Sequence, residues 1–425
     1  MNSLLIGVFL LVYLAIAMEH PLGVSKSASA LVGAAVVWML FAMAGTGHVD
    51  DALNESIVPA AKIVFFLMGA MAIVEMIDAH GGFDVITSRL RTRSATKLLW
   101  LLAAITFLLS AVLDNLTTTI VLVSITRKIL VDREDRLLFA GMIVIAANAG
   151  GAWSPMGDVT TTMLWIGGQI SAIAVVKGLF LPSLVNLLVP LFWISLLRRG
   201  RTTEISRALA EADTAPGRVW ERNLVFFLGA SLLLMVPAFK TVTHLPVFMG
   251  VLFSFGILWI ACEILHRGKS AEEKAHLTPA AALKRIDAAS VVFFLGILLA
   301  VAALEHAGLL DALASWLGRT VGRLDLIVLT LGLASAVIDN VPLVAAAMGM
   351  YPLAAHPPDS FLWEFLAYCA GTGGSILIVG SAAGVAAMGL EDIGFLWYAK
   401  RISLAALTGY LAGAAVYIAQ YHLAH

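Results

Sequence analysis

Two six-residue stretches put the same chemistry in the same setting. Ser110-Ala111-Val112-Leu113-Asp114-Asn115 returns as Ser335-Ala336-Val337-Ile338-Asp339-Asn340. Each sets a carboxylate and a carboxamide at the end of an apolar run. A third carboxylate, Asp158, ends the interrupted stretch Asn148-Ala149-Gly150-Gly151-Ala152-Trp153-Ser154-Pro155-Met156-Gly157 and is followed by Thr160-Thr161-Thr162. An Asp at the centre of a membrane helix costs roughly 2.5–3.5 kcal/mol on insertion scales. Three such residues in duplicated settings are read as one ion site. Hard cations want several oxygens, and a carboxylate in an apolar medium without a cation neutralises by taking a proton. A group that holds either a small cation or a proton, and not both, is the chemistry of exchange.

The elements that must position these residues follow from composition. Hydrophobic residues make up 60% of the chain and charged ones 13%, against about 45–50% and about 25% for soluble domains. The apolar runs are long and unbroken, unlike the short alternating segments of a barrel. The fold class expected is an all-α polytopic membrane protein in the lipid bilayer. The net charge of −1 gives no reason to expect nucleic acid as a partner. Cys262 and Cys369 lie far apart in apolar runs and read as small buried hydrophobes. The run Leu4–Ala17 lacks a basic flank and is read as a retained span, not a signal peptide.

Spans are expected at about 3–18, 29–44 and 58–77, joined by a Lys26 loop inside and an acidic loop with Asp50, Asp51 and Glu55 outside. A basic loop with Arg89, Arg91, Arg93 and Lys97 follows an interfacial segment, Phe83 to Leu90. The stretch 98–126 has basic residues at both ends, so both ends lie inside. Its second arm, about 116–126, rises only about 16 Å, half the hydrocarbon core. A re-entrant hairpin with Asp114-Asn115 at the tip satisfies both facts. The run 137–168 is a discontinuous span, broken by glycines and Pro155. A span at about 171–197 ends the first half, and the charged segment 198–222 is a cytoplasmic linker.

The second half, 223–425, repeats the plan of residues 1–197. Val292-Phe293-Phe294-Leu295 matches Val64-Phe65-Phe66-Leu67, and Gly373-Gly374 and Gly380 match Gly150-Gly151 and Gly157. Spans are expected near 223–239, 245–262 and 395–420, a hairpin at Asp339-Asn340 and an interfacial helix at 309–317. Each half then holds about five crossings and one hairpin, and the odd number inverts the second relative to the first. Arg319 and Arg323 fall on the outer side of this scheme, against the positive-inside bias.

Each site residue has a plainer reading. Asp114, Asp158 and Asp339, with Asn115 and Asn340, are good helix caps, and Pro342 suits a first turn. Capping and ion binding are compatible. Asn148, Ser154 and freed carbonyls add oxygens beside Asp158. At the equivalent place the second half has Ser381, with Thr372 and Ser375 nearby, so the charge is asymmetric: three carboxylates, not four. Thr118 completes the polar set after the first tip. Lys177 is a candidate partner for a site carboxylate. Glu75, His80, Glu305 and His306, read as flanking the inner ends of two matched spans, are candidates for pH sensing, since His titrates near 6.5.

The segments LDNLTTT, NAGGAWSPMGDVTTTMLW, IDN and GTGG resemble those of the NhaD-type sodium/proton antiporters, in the ion transporter superfamily that also holds dicarboxylate and arsenite carriers. The resemblance covers nearly the whole chain. It implies two inverted repeats, re-entrant hairpins, exchange of Na⁺ or Li⁺ for H⁺, a homodimer, an elevator-like movement and, for a bacterial member, the inner (plasma) membrane. It carries roles over to Ser110, Asp114, Asp158, Thr160, Thr161, Ser335, Asp339 and Asn340. No resident cofactor is expected, only Na⁺ or Li⁺ as transported ion at Asp114, Asp158 and Asp339. Two rival readings remain: an anion carrier of the same superfamily, and an intramembrane hydrolase using an aspartate dyad. Dicarboxylate relatives carry uncharged hairpin tips, whereas aspartates here would repel a bound anion. Two carboxylates about 5 Å apart repel by roughly 3 kcal/mol at an effective dielectric near 20.

Overall fold

A computed structural model describes residues 2–44, 49–87, 92, 94–197 and 216–424. Among them there are helices and no β-strand, and nine helices are long and apolar enough to cross a membrane. The chain is an all-α, multi-pass integral membrane protein. Backbone hydrogen bonds that water cannot satisfy in hydrocarbon are satisfied within each helix.

The apolar interruptions read from sequence are breaks in the helices. The first hairpin has arms Ala95–Leu113 and Asn115–Ile129, joined at Asp114. The second has arms Leu324–Ala334 and Asn340–Met350. The first broken span is Arg133–Ala152 and Val159–Gly167, with Trp153 to Asp158 unwound between them. The second is Phe361–Gly373 and Ala382–Glu391.

Both halves join hairpin to broken span by one device. A Cβ at Gly157 would lie 2.6 Å from the Ser110 carbonyl oxygen, and one at Gly380 would lie 2.6 Å from that of Ser335. Ser110 Oγ donates to the Ala147 carbonyl at 2.6 Å, and Ser335 Oγ to that of Ala370 at 3.0 Å. Only glycine admits so close a backbone crossing, and the serines tie each first arm to its neighbour.

Two pairs of helices matched in the sequence pack antiparallel. His306, at the end of Ala288–His306, meets Ser56 near the start of Val49–Ala79, 3.1 Å apart. Along Ala172–Leu197 and Ser403–Ala424, Gln420 donates to the Gly178 carbonyl, while Gly409 packs on that of Asn186. The helices fall into two packed groups. Asn2–Ala17, Lys26–Met43, Val49–Ala79, Pro216–Thr243, Val247–Leu265 and Ala288–His306 pack on one another. The first hairpin, both broken spans, the first arm of the second hairpin, Ala172–Leu197 and Ser403–Ala424 form the other. The second arm of the second hairpin lies at the border and touches Ala288–His306.

Several expected boundaries move. Asp50, Asp51 and Glu55 are not in a loop: they open the 31-residue helix Val49–Ala79, where acidic side chains suit the positive helix end. His306 and Glu305 do not share an end with Glu75 and His80. Ser56 and Glu75 are about 28 Å apart along one helix, and His306 belongs with Ser56. Residues 216–222 begin the helix Pro216–Thr243, while 198–215 lie outside the described residues, as do Arg89, Leu90, Arg91 and Arg93. The last span is Ser403–Ala424, preceded by a separate short helix, Phe395–Arg401. Arg323 is paired with Asp325 through two contacts, 3.2 and 2.6 Å, which offsets its charge.

Candidate ion site at the broken helices

Asp158 stands where the elements meet. It caps Val159–Gly167, its Oδ1 accepting from Thr160 N at 3.0 Å. Its Oδ2 accepts from Asn115 Nδ2 at 3.0 Å and from Asn340 Nδ2 at 3.4 Å. Thus the amides of both hairpin tips converge on one carboxylate. Asn148 links the halves further. Its Oδ1 accepts from Asn115 Nδ2 at 2.9 Å, and its Nδ2 donates to Ser375 Oγ and Ser381 Oγ, both at 2.9 Å. Asp158 is 1% exposed, and among the described residues no Lys, Arg or His pairs with it. A buried carboxylate held only by neutral donors carries an uncompensated charge.

The other two aspartates turn elsewhere. Asp114 Oδ1 accepts from Thr117 N at 2.8 Å and Oδ2 from Thr117 Oγ1 at 2.9 Å. Its backbone φ of +96° is a conformation that non-glycine residues rarely adopt. Asp339 Oδ1 accepts from Val341 N at 3.2 Å, and Oδ2 lies 3.5 Å from Lys26 Nζ. All three aspartates therefore cap helices, as the plainer reading held. Among the described residues no three Asp, Glu, His or Cys side chains gather as a metal cluster. The convergence is one carboxylate with three asparagines, flanked by two more carboxylates.

The remaining candidates sort by contact. Ser154 Oγ donates to the Ala111 carbonyl at 2.5 Å and Thr161 Oγ1 to that of Asp158 at 2.9 Å. Thr372 Oγ1 bonds back to Tyr368 O. Ser110 and Ser335 serve the joints. The Thr118 and Thr119 hydroxyls are buried without a hydrogen-bond partner. Lys177 is exposed; the lysine that reaches a site carboxylate is Lys26, which the sequence reading left as a loop charge. Ser381 proves a direct partner of Asn148. Its position opposite Asp158 in the repeat was the signal for it.

A cavity of about 750 Å³ opens beside Lys26, Glu75, Arg285, Leu116 and Thr117. A smaller one of about 60 Å³ continues to Asp114 and Asn115, sharing Leu116 and Thr117. A third, about 340 Å³, lies at the opposite end beside Glu55, Ser56, Glu305 and His306. His80 stacks on His266 with ring centroids 5.0 Å apart and Nε2 atoms 3.3 Å apart. Both rings lie just beyond their helices. Burial holds His80 below its ordinary 6.5, opposed by its bond to the Met76 carbonyl. Burial, helped by Lys269 and His80, pushes His266 down to about 4.

Hairpins that meet broken helices around buried polar groups define a membrane transporter, and residues 13–364 match the citrate transporter family, to which this chain belongs. Within that class it is a member of the NhaD-type sodium/proton antiporters. It is 47% identical to Sodium/proton antiporter 1 of Arabidopsis thaliana over 97% of this chain and 71% of that protein. To Sodium/proton antiporter 2 of the same plant it is 45% identical, over 96% and 97%. To the Na(+)/H(+) antiporter NhaD of Vibrio cholerae it is 30% identical, over 90% and 84%.

Proposed function

We propose that the chain exchanges Na⁺, or Li⁺, for H⁺ across its membrane, by competition of cation and proton for Asp158 with Asp114 and Asp339 as flanking carboxylates. The observation that carries this reading is the burial of Asp158 among Asn115, Asn148 and Asn340 with no cationic partner among the described residues. With the site empty, the carboxylate's charge is relieved by a proton. When Na⁺ enters, rotation of Asn115 and Asn340 about their terminal bonds would exchange donor nitrogens for acceptor oxygens. The proton leaves as the cation takes its place, so the two ions are not carried together. Ser154 in the unwound segment, Thr160 and Thr161 in the helical turn after it, Ser375 in the second break and nearby carbonyls could complete an oxygen shell.

Alternating access fits the two helix groups. The antiparallel course of two matched helix pairs supports inverted repeats, and the basic residues around Arg285 support reading the large cavity as opening on the inner side. The approach to Asp114 is then from the cytoplasm. The dimer and elevator-like movement that the resemblance implies belong to this reading. So does a role in pH sensing for Glu75, Glu305, His80 or His306, although the His80–His266 pair titrates on the acid side of neutrality.

The description of the matched family raises an anion as second substrate class. A site of one buried and two flanking carboxylates disfavours it, because an anion would meet repulsion on the scale of several kcal/mol. The experiment is a pH-gradient dye assay in reconstituted vesicles, adding each alkali cation in turn. Dissipation by Na⁺ or Li⁺ is expected. Dissipation by citrate or a dicarboxylate with none by any alkali cation would overturn the proposal.

A further inference from the structure

We propose that Lys26 is a resident counter-ion that occupies Asp339 when no metal cation is bound, and that the arriving Na⁺ must displace it. The inference rests on the exchange reading above and adds a residue to it. Lys26 is the first residue of Lys26–Met43, in the helix group that contains none of the broken spans. Its Nζ lies 3.5 Å from Asp339 Oδ2 and 4.7 Å above the Phe293 ring of Ala288–His306. Both ends of the pair are largely sheltered, with side-chain exposures of 20% and 17%. The Lys26 backbone is pinned as well: its N–H donates to Glu19 Oε1 at 3.0 Å, and the preceding Ser25 caps the helix. Ser27 Oγ donates to the Ala289 carbonyl at 2.7 Å. The ammonium is therefore delivered from a fixed base to the tip of the second hairpin.

The placement matters because, among the described residues, no cationic side chain pairs with the matching carboxylate. Asp114 accepts from the backbone N–H groups of Leu116 and Thr117 and from the Thr117 hydroxyl, while Asp339 faces a full positive charge. An ammonium and a sodium ion compete for the same lone pairs, and the aromatic face behind Lys26 helps retain its charge. Asp339 caps the arm at the border of the two groups, and its neighbour Asn340 reaches Asp158, so movement of the Asp158 group that carried this tip along would break the contact with Lys26. Sodium binding near Asp339 thus weakens a tie between the groups, and emptying the site restores it.

The test is sodium titration of proton exchange in vesicles carrying Lys26→Ala, Lys26→Gln or Lys26→Arg. A sheltered pair of this kind is worth a factor of about five in binding. Removing the charge should lower the KM for Na⁺ about fivefold in both Lys26→Ala and Lys26→Gln while exchange continues. Lys26→Arg should keep the KM of the unmodified protein. A merely structural role would reduce turnover or raise KM, and would not lower it. An unchanged or raised KM in both neutral variants overturns the inference. Should a variant be too weak to transport, Na⁺-dependent thermal stabilisation of the purified protein reads the same affinity: the midpoint concentration should fall about fivefold, and no fall overturns the inference. Failure of the exchange reading is separate, because it would appear as absence of Na⁺-driven proton flux in the unmodified protein.

Discussion

The two hairpins are built to one plan and finished differently. Each ends in Asp-Asn, each caps its second arm with the aspartate, and each sends its asparagine to Asp158. The first tip holds Asp114 at φ +96° and closes its carboxylate on Thr117. The second holds Asp339 at φ −49° and hands its carboxylate to Lys26. The broken spans differ in the same sense: Asp158 in the first, bonded to Asn115, answers to Ser381 in the second, bonded to Asn148. Repetition supplies the scaffold, and the chemistry comes from where repetition fails. A fully symmetric site would carry a fourth carboxylate at position 381 and four mutually repelling charges.

The largest expected effect breaks the comparison at its centre. Asp158→Asn should cut Na⁺-driven proton flux in vesicles by about a hundredfold or more, the scale of losing one partner of a buried charged arrangement. Ser381→Ala, its counterpart, should retain more than about a tenth of the flux. Equal losses in the two would show that the charge difference between the halves carries no function. Next come the crossings. Gly157→Ala and Gly380→Ala each push a methyl to 2.6 Å from a carbonyl oxygen, and each should cost about 1–3 kcal/mol as overpacking. The comparison is of melting temperature in detergent. Similar drops are expected, and a large inequality would deny that the two joints are equivalent.

Smaller effects sharpen the tips. Asp339→Asn should cost about 1 kcal/mol by freeing Lys26. Asp114→Asn should stay within about 0.5 kcal/mol, since Asn both caps well and tolerates positive φ. Denaturation that ranks the two the other way would contradict the assigned contacts. The smallest effect lies at the histidine pair. The folded protein holds His266 near 4 against an ordinary 6.5, so it binds fewer protons than the unfolded chain. Its contribution to stability is present above 6.5 and is lost as the pH falls toward 4. Met76, Lys269, Glu221 and Lys274 are the groups that act on the pair. His266→Gln should flatten thermal stability over that window, and His80→Gln should leave the transport profile above pH 7 unmoved. A shift in that profile would restore His80 as a sensor in the neutral range.

Much of this was legible in the chain. Single prolines such as Pro182 and Pro190 stay inside one helix, but Asp-Asn in an apolar run and clusters of glycine with polar residues or Pro favour a helix break there. That fixed both hairpins, both broken spans and the residues at the breaks. The acidic run at Asp50 misled, since acidic side chains that suit a loop also suit a helix start. The inversion at His306 was missed although it followed from the same topology. Lys26 was illegible for a different reason. Its partner is more than three hundred residues away, and nothing in the residues around either reports a contact made only by packing of helices. The orientation of Asp114 and Asp339 away from Asp158 was hidden too, because side-chain direction at a tip depends on local dihedral angles.

Asn148 has a mechanical consequence. Its carboxamide clasps Asn115 on one side and Ser375 and Ser381 on the other, so the first hairpin, the helical arm of the first broken span and the unwound segment of the second are stitched through one side chain. On the exchange proposed above, cargo held there would travel with its cradle as a single piece, and the membrane's two faces would be served by relocating that cradle without dismantling it.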